Sequence, residues 1–195
     1  MAPMSWRSTT ANELPDPDAQ LLEVARRSVT HGARHGVPLP VEPQGFDPAL
    51  REPRACFVTL HAREALRGCI GGLEARDPLV VTAARNAYRA AFEDPRFEAV
   101  QASELPHLAI SISILSPLEP LEVGSHAELL RALRPGRDGL VLRSDVRGAT
   151  FLPAVWRQLP DPREFVAHLL RKAGLPESAW SSDWRWQRFG AREID

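Results

Sequence analysis

The segment Leu66-Arg67-Gly68-Cys69-Ile70-Gly71-Gly72 gathers three of the chain's 12 glycines around one thiol and one guanidinium. Strand interiors avoid glycine, and where side chains are missing another backbone or a ligand comes close, or the strand bulges. Two chemistries fit these residue types. In one, Gly68, Gly71 and Gly72 line a ligand site, Arg67 recognises an anion, and Cys69 serves as nucleophile, metal ligand or redox group; a thiol reacts as its thiolate, which a nearby guanidinium favours. In the other, Cys69 is a small buried hydrophobe and the glycines shape a bulge. Strand alternation sets Arg67 and Cys69 on one face, which keeps the first chemistry open.

A second cluster is Asp94-Pro95-Arg96-Phe97. Pro presets the φ angle of a turn and an Asp side chain bonds its own backbone, so a turn in which Asp94 pairs with Arg96 accounts for it structurally. Functionally, Asp94 takes a proton or orients a guanidinium, and Arg96 supplies a second anion-binding fork. Cys69 and Asp94 are therefore the candidate catalytic residues, and Arg67, Gly68, Gly71, Gly72 and Arg96 the candidate ligand-binding residues. No metal site is expected. His31 and His35 stand four apart, but beside a helix C-terminus, where imidazolium is electrostatically favoured, and without a catalytic glutamate between them. Neither Cys56 nor Cys69 has a CxxC or zinc-type spacing, and no cofactor is assigned.

The charge balance, 24 basic against 25 acidic residues, lacks the electrostatic footprint of a duplex binder, so nucleic acid is not an expected partner. Only Lys172 is a lysine, which leaves 24 − 1 = 23 arginines. The apolar runs fall short of the roughly 20 residues that cross a bilayer. The first residues lack a signal-peptide apolar core, and two cysteines make no disulfide scaffold. The expectation is a cytoplasmic protein with reduced thiols and no membrane partner.

The elements that position these clusters are readable. Residues 1–14 are polar and aperiodic and read as a flexible tail. Asp16-Pro17 opens a helix carrying Leu21, Leu22, Ala25 and Val29, which Gly32 or Gly36 ends. The prolines between Gly36 and Pro53 forbid a long helix. Residues 54–60 and 66–70 read as a hairpin whose turn lacks Gly and Asn. With His61 opposite Leu66, Cys69 faces Val58 and lies diagonal to Cys56, beyond disulfide reach.

Asp77-Pro78 repeats the helix-opening signal ahead of an alanine-rich stripe running to Phe92. Residues 108–114 alternate with period two as a half-buried strand. Ser125 to Glu128 is a capping box, residues 139–144 and 149–152 are short strands, and Asp161-Pro162 starts a helix ending at Gly174. Residues 184–189 form an edge strand, and the tryptophans are expected to pack rather than stack on bases. The pattern is α+β, an antiparallel or mixed sheet flanked by helices. One domain over residues 15–190, with a larger and a smaller subdomain, is followed by a tail over 191–195.

Phe57-Val58-Thr59-Leu60 with Leu66-Arg67-Gly68-Cys69-Ile70-Gly71, Ala90-Ala91-Phe92-Glu93-Asp94-Pro95-Arg96-Phe97, Ile112-Ser113-Ile114-Leu115-Ser116-Pro117, Thr150-Phe151-Leu152-Pro153-Ala154-Val155-Trp156 and Lys172-Ala173-Gly174-Leu175-Pro176 together resemble the AMMECR domain family. Prokaryotic members are called AmmeMemoRadiSam system protein A. The resemblance runs from about Asp18 to Phe189. It implies an α+β fold with two subdomains and a cleft exposing the Arg-Gly-Cys-Ile-Gly segment. It also implies, as partners, a Memo-like protein and a radical S-adenosylmethionine protein, and no settled activity. Two functions stay open: a cleft that binds a small anionic ligand or reacts through Cys69, and a noncatalytic adaptor whose cleft docks a partner protein.

Overall fold

The structure, a computed structural model, describes residues 15–195, so the tail expected over residues 1–14 lies outside the described residues. The chain divides into two compact units, one running to Leu115 and including Arg192–Asp195, the other covering Ser116–Ala191.

The first unit begins with α1 (Pro17–His35). The Asp16 carboxylate accepts from the amides of Asp18 and Ala19, and Gly36, with φ of 71°, closes the helix in the left-handed region. Gly36 rather than Gly32 is thus the terminator. Gly32 lies inside α1 because a Cβ there would meet the Phe92 ring at 2.5 Å. The proline-rich stretch holds one short helix, α2 (Pro48–Arg51). Then come β1 (Cys56–Ala62), β2 (Ala65–Gly71), α3 (Leu79–Phe92) and β3 (Leu108–Leu115).

Residues 191–195, expected as a tail, instead supply β8 (Ala191–Ile194), which joins β3 in a sheet ordered β2-β1-β3-β8. Ile194 enters the core and Arg192 pairs with Asp18, so this segment is held by both apolar and ionic contacts. A four-residue strand whose only large apolar residue is Ile194 has too little periodicity to be read from sequence.

One face of this sheet is sealed. Cys56, Val58 and Leu60 of β1 and Ile110, Ile112 and Ile114 of β3 join Ala83, Ala84, Ala87, Ala90 and Ala91 of α3 in one core. Small residues let α3 lie close on the sheet. Asp77 does not cap α3 as expected: Pro78 is the N-cap, without a side-chain bond, and the Asp77 carboxylate pairs with Arg85.

The second unit contains β4 (Glu119–Leu121), α4 (His126–Ala132), β5 (Gly139–Arg143), β6 (Gly148–Phe151), α5 (Pro162–Lys172) and β7 (Arg185–Phe189). Its strands are ordered β4-β7-β5-β6, each pair antiparallel. Its core is built of leucines around buried aromatic rings. Trp156 stacks on Phe165 with centroids 3.8 Å apart, while its indole N–H donates to the Asp138 carbonyl at 2.6 Å. Trp186 is buried as well, in keeping with packing rather than a stacking platform. Among the described residues no helix is long and apolar enough to cross a membrane.

Candidate functional site

Cys69 lies on β2, the edge strand of the first sheet, on the face turned away from the core. The local register explains its neighbours. His61 pairs with Leu66, as the sequence suggests, but the register shifts between Leu60 and His61, so Leu60 pairs with Gly68 and Thr59 with Cys69. Arg67 is the extra residue of this bulge. Cys69 therefore faces Thr59, not Val58. Bulges carry one unpaired residue and re-aim side chains; the glycines left a bulge open as one reading of this segment, but no local signal set its position opposite Leu60 and His61.

The turn that precedes the bulge is also informative. Arg63 and Glu64 both have positive φ, 50° and 68°, the pattern of a two-residue hairpin turn that Asn-Gly would satisfy with less strain.

Registers on both sides of β1 place Cys69, Thr59 and Ser111 in one row across three strands. The Thr59 hydroxyl donates to the Cys69 sulfur at 3.4 Å. Cys56 points the other way, into the core, so the two thiols are separated by the sheet and both are free. Burial pushes the Cys56 thiol up to about 12, only partly opposed by Asn86 beside it. Cys69 is half-buried.

The Asp94-Pro95-Arg96 turn meets β2 at this residue. Asp94 Oδ1 accepts from the Arg96 amide at 3.1 Å, the Asx-turn bond its sequence suggests, and Phe97 N–H donates to the Asp94 carbonyl. Asp94 Oδ2 accepts from the Cys69 amide at 2.9 Å. The Arg96 guanidinium donates to both Asp94 oxygens, at 2.9 and 2.7 Å, and to the Cys69 carbonyl at 3.3 Å. The turn thus serves as a surrogate strand, satisfying both backbone groups of Cys69 on the outer edge of β2.

Asp94 is 4% exposed. The bond from Arg96, then those from the Cys69 and Arg96 amides, hold its carboxyl well below the usual carboxylate range, against desolvation. So depressed a carboxylate is a poor proton acceptor near neutral pH. Of the two roles expected for Asp94, orienting a guanidinium is the one its geometry performs.

Arg67 is engaged elsewhere. Its Nε and Nη2 donate to the two oxygens of Glu104 at 2.7 and 3.1 Å, and Glu104 also accepts from the Gln101 amide. The ion pair raises Arg67 and lowers Glu104 from their ordinary values. Neither Thr59 nor Glu104 was legible as a site residue. Thr59 follows once the register is known, whereas Glu104, 37 positions from Arg67, carries no local signal.

The three glycines divide. A Cβ at Gly68 would stand 2.0 Å from the Ala90 carbonyl, so that glycine is required by the approach of α3. At Gly71 it would strike the Phe57 ring at 2.3 Å. Beside Gly72 nothing lies within 4 Å, so only there is space open. Cys69, Asp94 and Arg96 are brought together, Gly72 lies further along the chain at an open position, and Gly68 and Gly71 serve packing.

Comparisons with known proteins follow the same lines. The family model AMMECR1 matches residues 22–194. A protein of Thermococcus onnurineus is 37% identical over 180 residues, covering 88% of this chain and 86% of the relative. Protein MJ0810 of Methanocaldococcus jannaschii is 36% identical over 72% of this chain and 71% of its own length. The crystal structure of the uncharacterized protein PH0010 from Pyrococcus horikoshii superposes with a TM-score of 0.79 at 34% identity, covering 89% of this chain and 88% of that one.

Proposed function

The chain belongs to the AMMECR1 family, and from that premise we propose that its outer sheet face is a thiol-centred binding site, where a small anionic ligand is held against Cys69 and reacts with its sulfur. One observation carries this reading. The peptide of Cys69 is fixed on both its N–H and its C=O by the Asp94–Arg96 pair, while its side chain faces away from the core and receives a hydroxyl hydrogen bond.

Water would satisfy an edge peptide without help. A nearly buried carboxylate committed to that peptide fixes the position of the sulfur, as a reacting group requires. Thr59 donates a hydrogen bond to the sulfur, and Ser111 extends the polar row on which a ligand would lie.

In this reading the ligand is supplied or consumed by the Memo-like and radical S-adenosylmethionine proteins that the family resemblance implies, in the cytoplasm, where both thiols stay reduced. Alkylation of the native chain with iodoacetamide, read by mass spectrometry, tests it. Cys69 should be modified while Cys56 stays unmodified until the protein unfolds. Failure of Cys69 to react in the folded chain would end the reading.

A second reading, the noncatalytic adaptor, draws on a separate observation. Asp94 at the Cys69 peptide and Glu104 at the neighbouring Arg67 are each bound to an arginine, and neither offers a free general base. Gly72→Trp, at the open position, should abolish association with the two partner proteins if the site docks them, and Cys69→Ser should leave that association intact. Partner binding indifferent to Gly72→Trp would remove the adaptor.

A further inference from the structure

The two arginines beside Cys69 are not equivalent. The Arg67 side chain is 16% exposed, and its Nε–Nη2 edge is filled by both oxygens of Glu104. Its Nη1 has no partner among the described residues, but with so little of the side chain in solvent it is poorly presented to a ligand. Arg96 is fastened just as firmly, by Asp94 through Nε and Nη2 and by the Cys69 carbonyl, with the guanidinium carbon 5.4 Å from the Phe97 ring centroid. Its side chain nevertheless remains 54% exposed. All its recorded bonds come from Nε and Nη2, so Nη1 keeps its donors without a partner among the described residues.

The contrast is chemical as well as geometric. A free surface arginine loses side-chain entropy when it grips a ligand, but one already fixed along one edge has largely lost that freedom. Asp94 holds Arg96 beside the peptide that carries the thiol, so an oxyanion on the outer edge of Arg96 would bring the rest of its molecule next to the sulfur. Asp94 is here a positioning residue that acts through Arg96.

We propose that Arg96, and not Arg67, is the specificity residue of the Cys69 site, and that the site selects electrophiles carrying an oxyanion, such as a carboxylate, close to the carbon that sulfur attacks. The inference rests on the thiol reading above and adds the ligand's charge and the group that reads it. In the probe reaction the Cys69 thiolate forms a bond to the methylene carbon of iodoacetate. The carbon–iodine bond breaks with its electron pair leaving on iodide, and the thiol proton has gone to solvent beforehand.

The experiment compares two alkylating agents of the same shape, anionic iodoacetate and neutral iodoacetamide, at Cys69 of the full chain, each rate divided by that of a free model thiol. The normalised iodoacetate-to-iodoacetamide ratio should be about tenfold above unity in the native protein, the effect of one well-placed charge-assisted contact. It should fall toward unity in added acetate, which competes for Arg96. The paired variant Asp94→Asn with Arg96→Gln keeps an amide pair in the turn without stranding a charge. It should lose the preference while still reacting with iodoacetamide, and Asp77→Asn with Arg85→Gln, a charge-matched surface pair, should retain it.

A native ratio no greater than that of the free thiol would overturn the proposal. So would a preference that survives in the paired variant. Reaction with iodoacetamide but no preference defeats only this inference, whereas reaction with neither reagent defeats the thiol reading and this inference together.

Discussion

Each unit buries one aspartate against a partly exposed arginine, and the two aspartates do different work. Asp138, fully buried in the second unit, accepts from the amide of Arg134 at 2.9 Å and from its side chain, four residues away. Its carboxylate closes the turn after α4 and engages no other element among the described residues. Asp94 makes the same bond to a near neighbour, Arg96, but also reaches the Cys69 amide 25 positions away. A buried carboxylate that stabilises its own turn is explained by stability. One that also fixes the peptide of a half-exposed cysteine is in place for that cysteine.

The largest effect should come from separating α3 and β2 without touching any charge. Gly68→Ala places a methyl on the Ala90 carbonyl, and about 3 kcal/mol of stability should be lost in urea denaturation. Gly148→Ala in the second unit, where the nearest atom is the Leu142 carbonyl at 3.1 Å, should cost clearly less. Equal losses would mean that the strand and helix at Gly68 move apart freely.

Next come the aspartates themselves. Asp94→Ala and Asp138→Ala each leave buried partners unsatisfied, and each should lose about 2 kcal/mol. Only the first should change the rate at which Cys69 is alkylated, so a matching rate change in Asp138→Ala would erase the contrast. The pH dependence sharpens it. Arg96 and the Cys69 amide hold the folded-state pKa of Asp94 below its unfolded value. Its contribution is therefore complete above about pH 4, the unfolded carboxylate range, and is lost as pH falls further through the folded pKa. The stability gap between native chain and Asp94→Asn should be constant near neutrality and narrow in acid.

The cysteines give a smaller test of the same difference between committed and available groups. Cys56→Ser buries a hydroxyl in the apolar core and should cost about 1 to 2 kcal/mol. Cys69→Ser, on the outer face, should stay within about 0.5 kcal/mol. One effect of comparable size is a gain: Arg63→Asn with Glu64→Gly relieves two left-handed residues in the hairpin turn and should add about 1 kcal/mol, with Cys69 reactivity unchanged.

Local chemistry accounts for what could be read in advance. The strict alternation of residues 108–114 located β3 to within one residue of its observed end at Leu115, and Asp16, Ser125 and Asp161 each cap a helix where their spacing indicates. The Asp94–Arg96 turn was likewise legible, because donor and acceptor are two positions apart. The failures share a cause. The bulge that moves Cys69 from Val58 to Thr59 is a one-residue slip, and the partner of Arg67 lies far away in sequence. The closing strand β8 is held by contacts to β3 and α1 rather than by its own pattern.

The sequence by itself determined that an arginine, a thiol and three glycines crowd the end of one strand and that an Asp-Pro-Arg turn follows a close-packed helix, since periods and caps are properties of neighbouring residues. Tertiary structure decided which glycines serve packing, which arginine presents its outer edge to solvent, and that the turn's carboxylate grips the cysteine's own peptide. Those outcomes depend on register and on how closely α3 lies against β2, and both are set by contacts between residues that no local spacing relates.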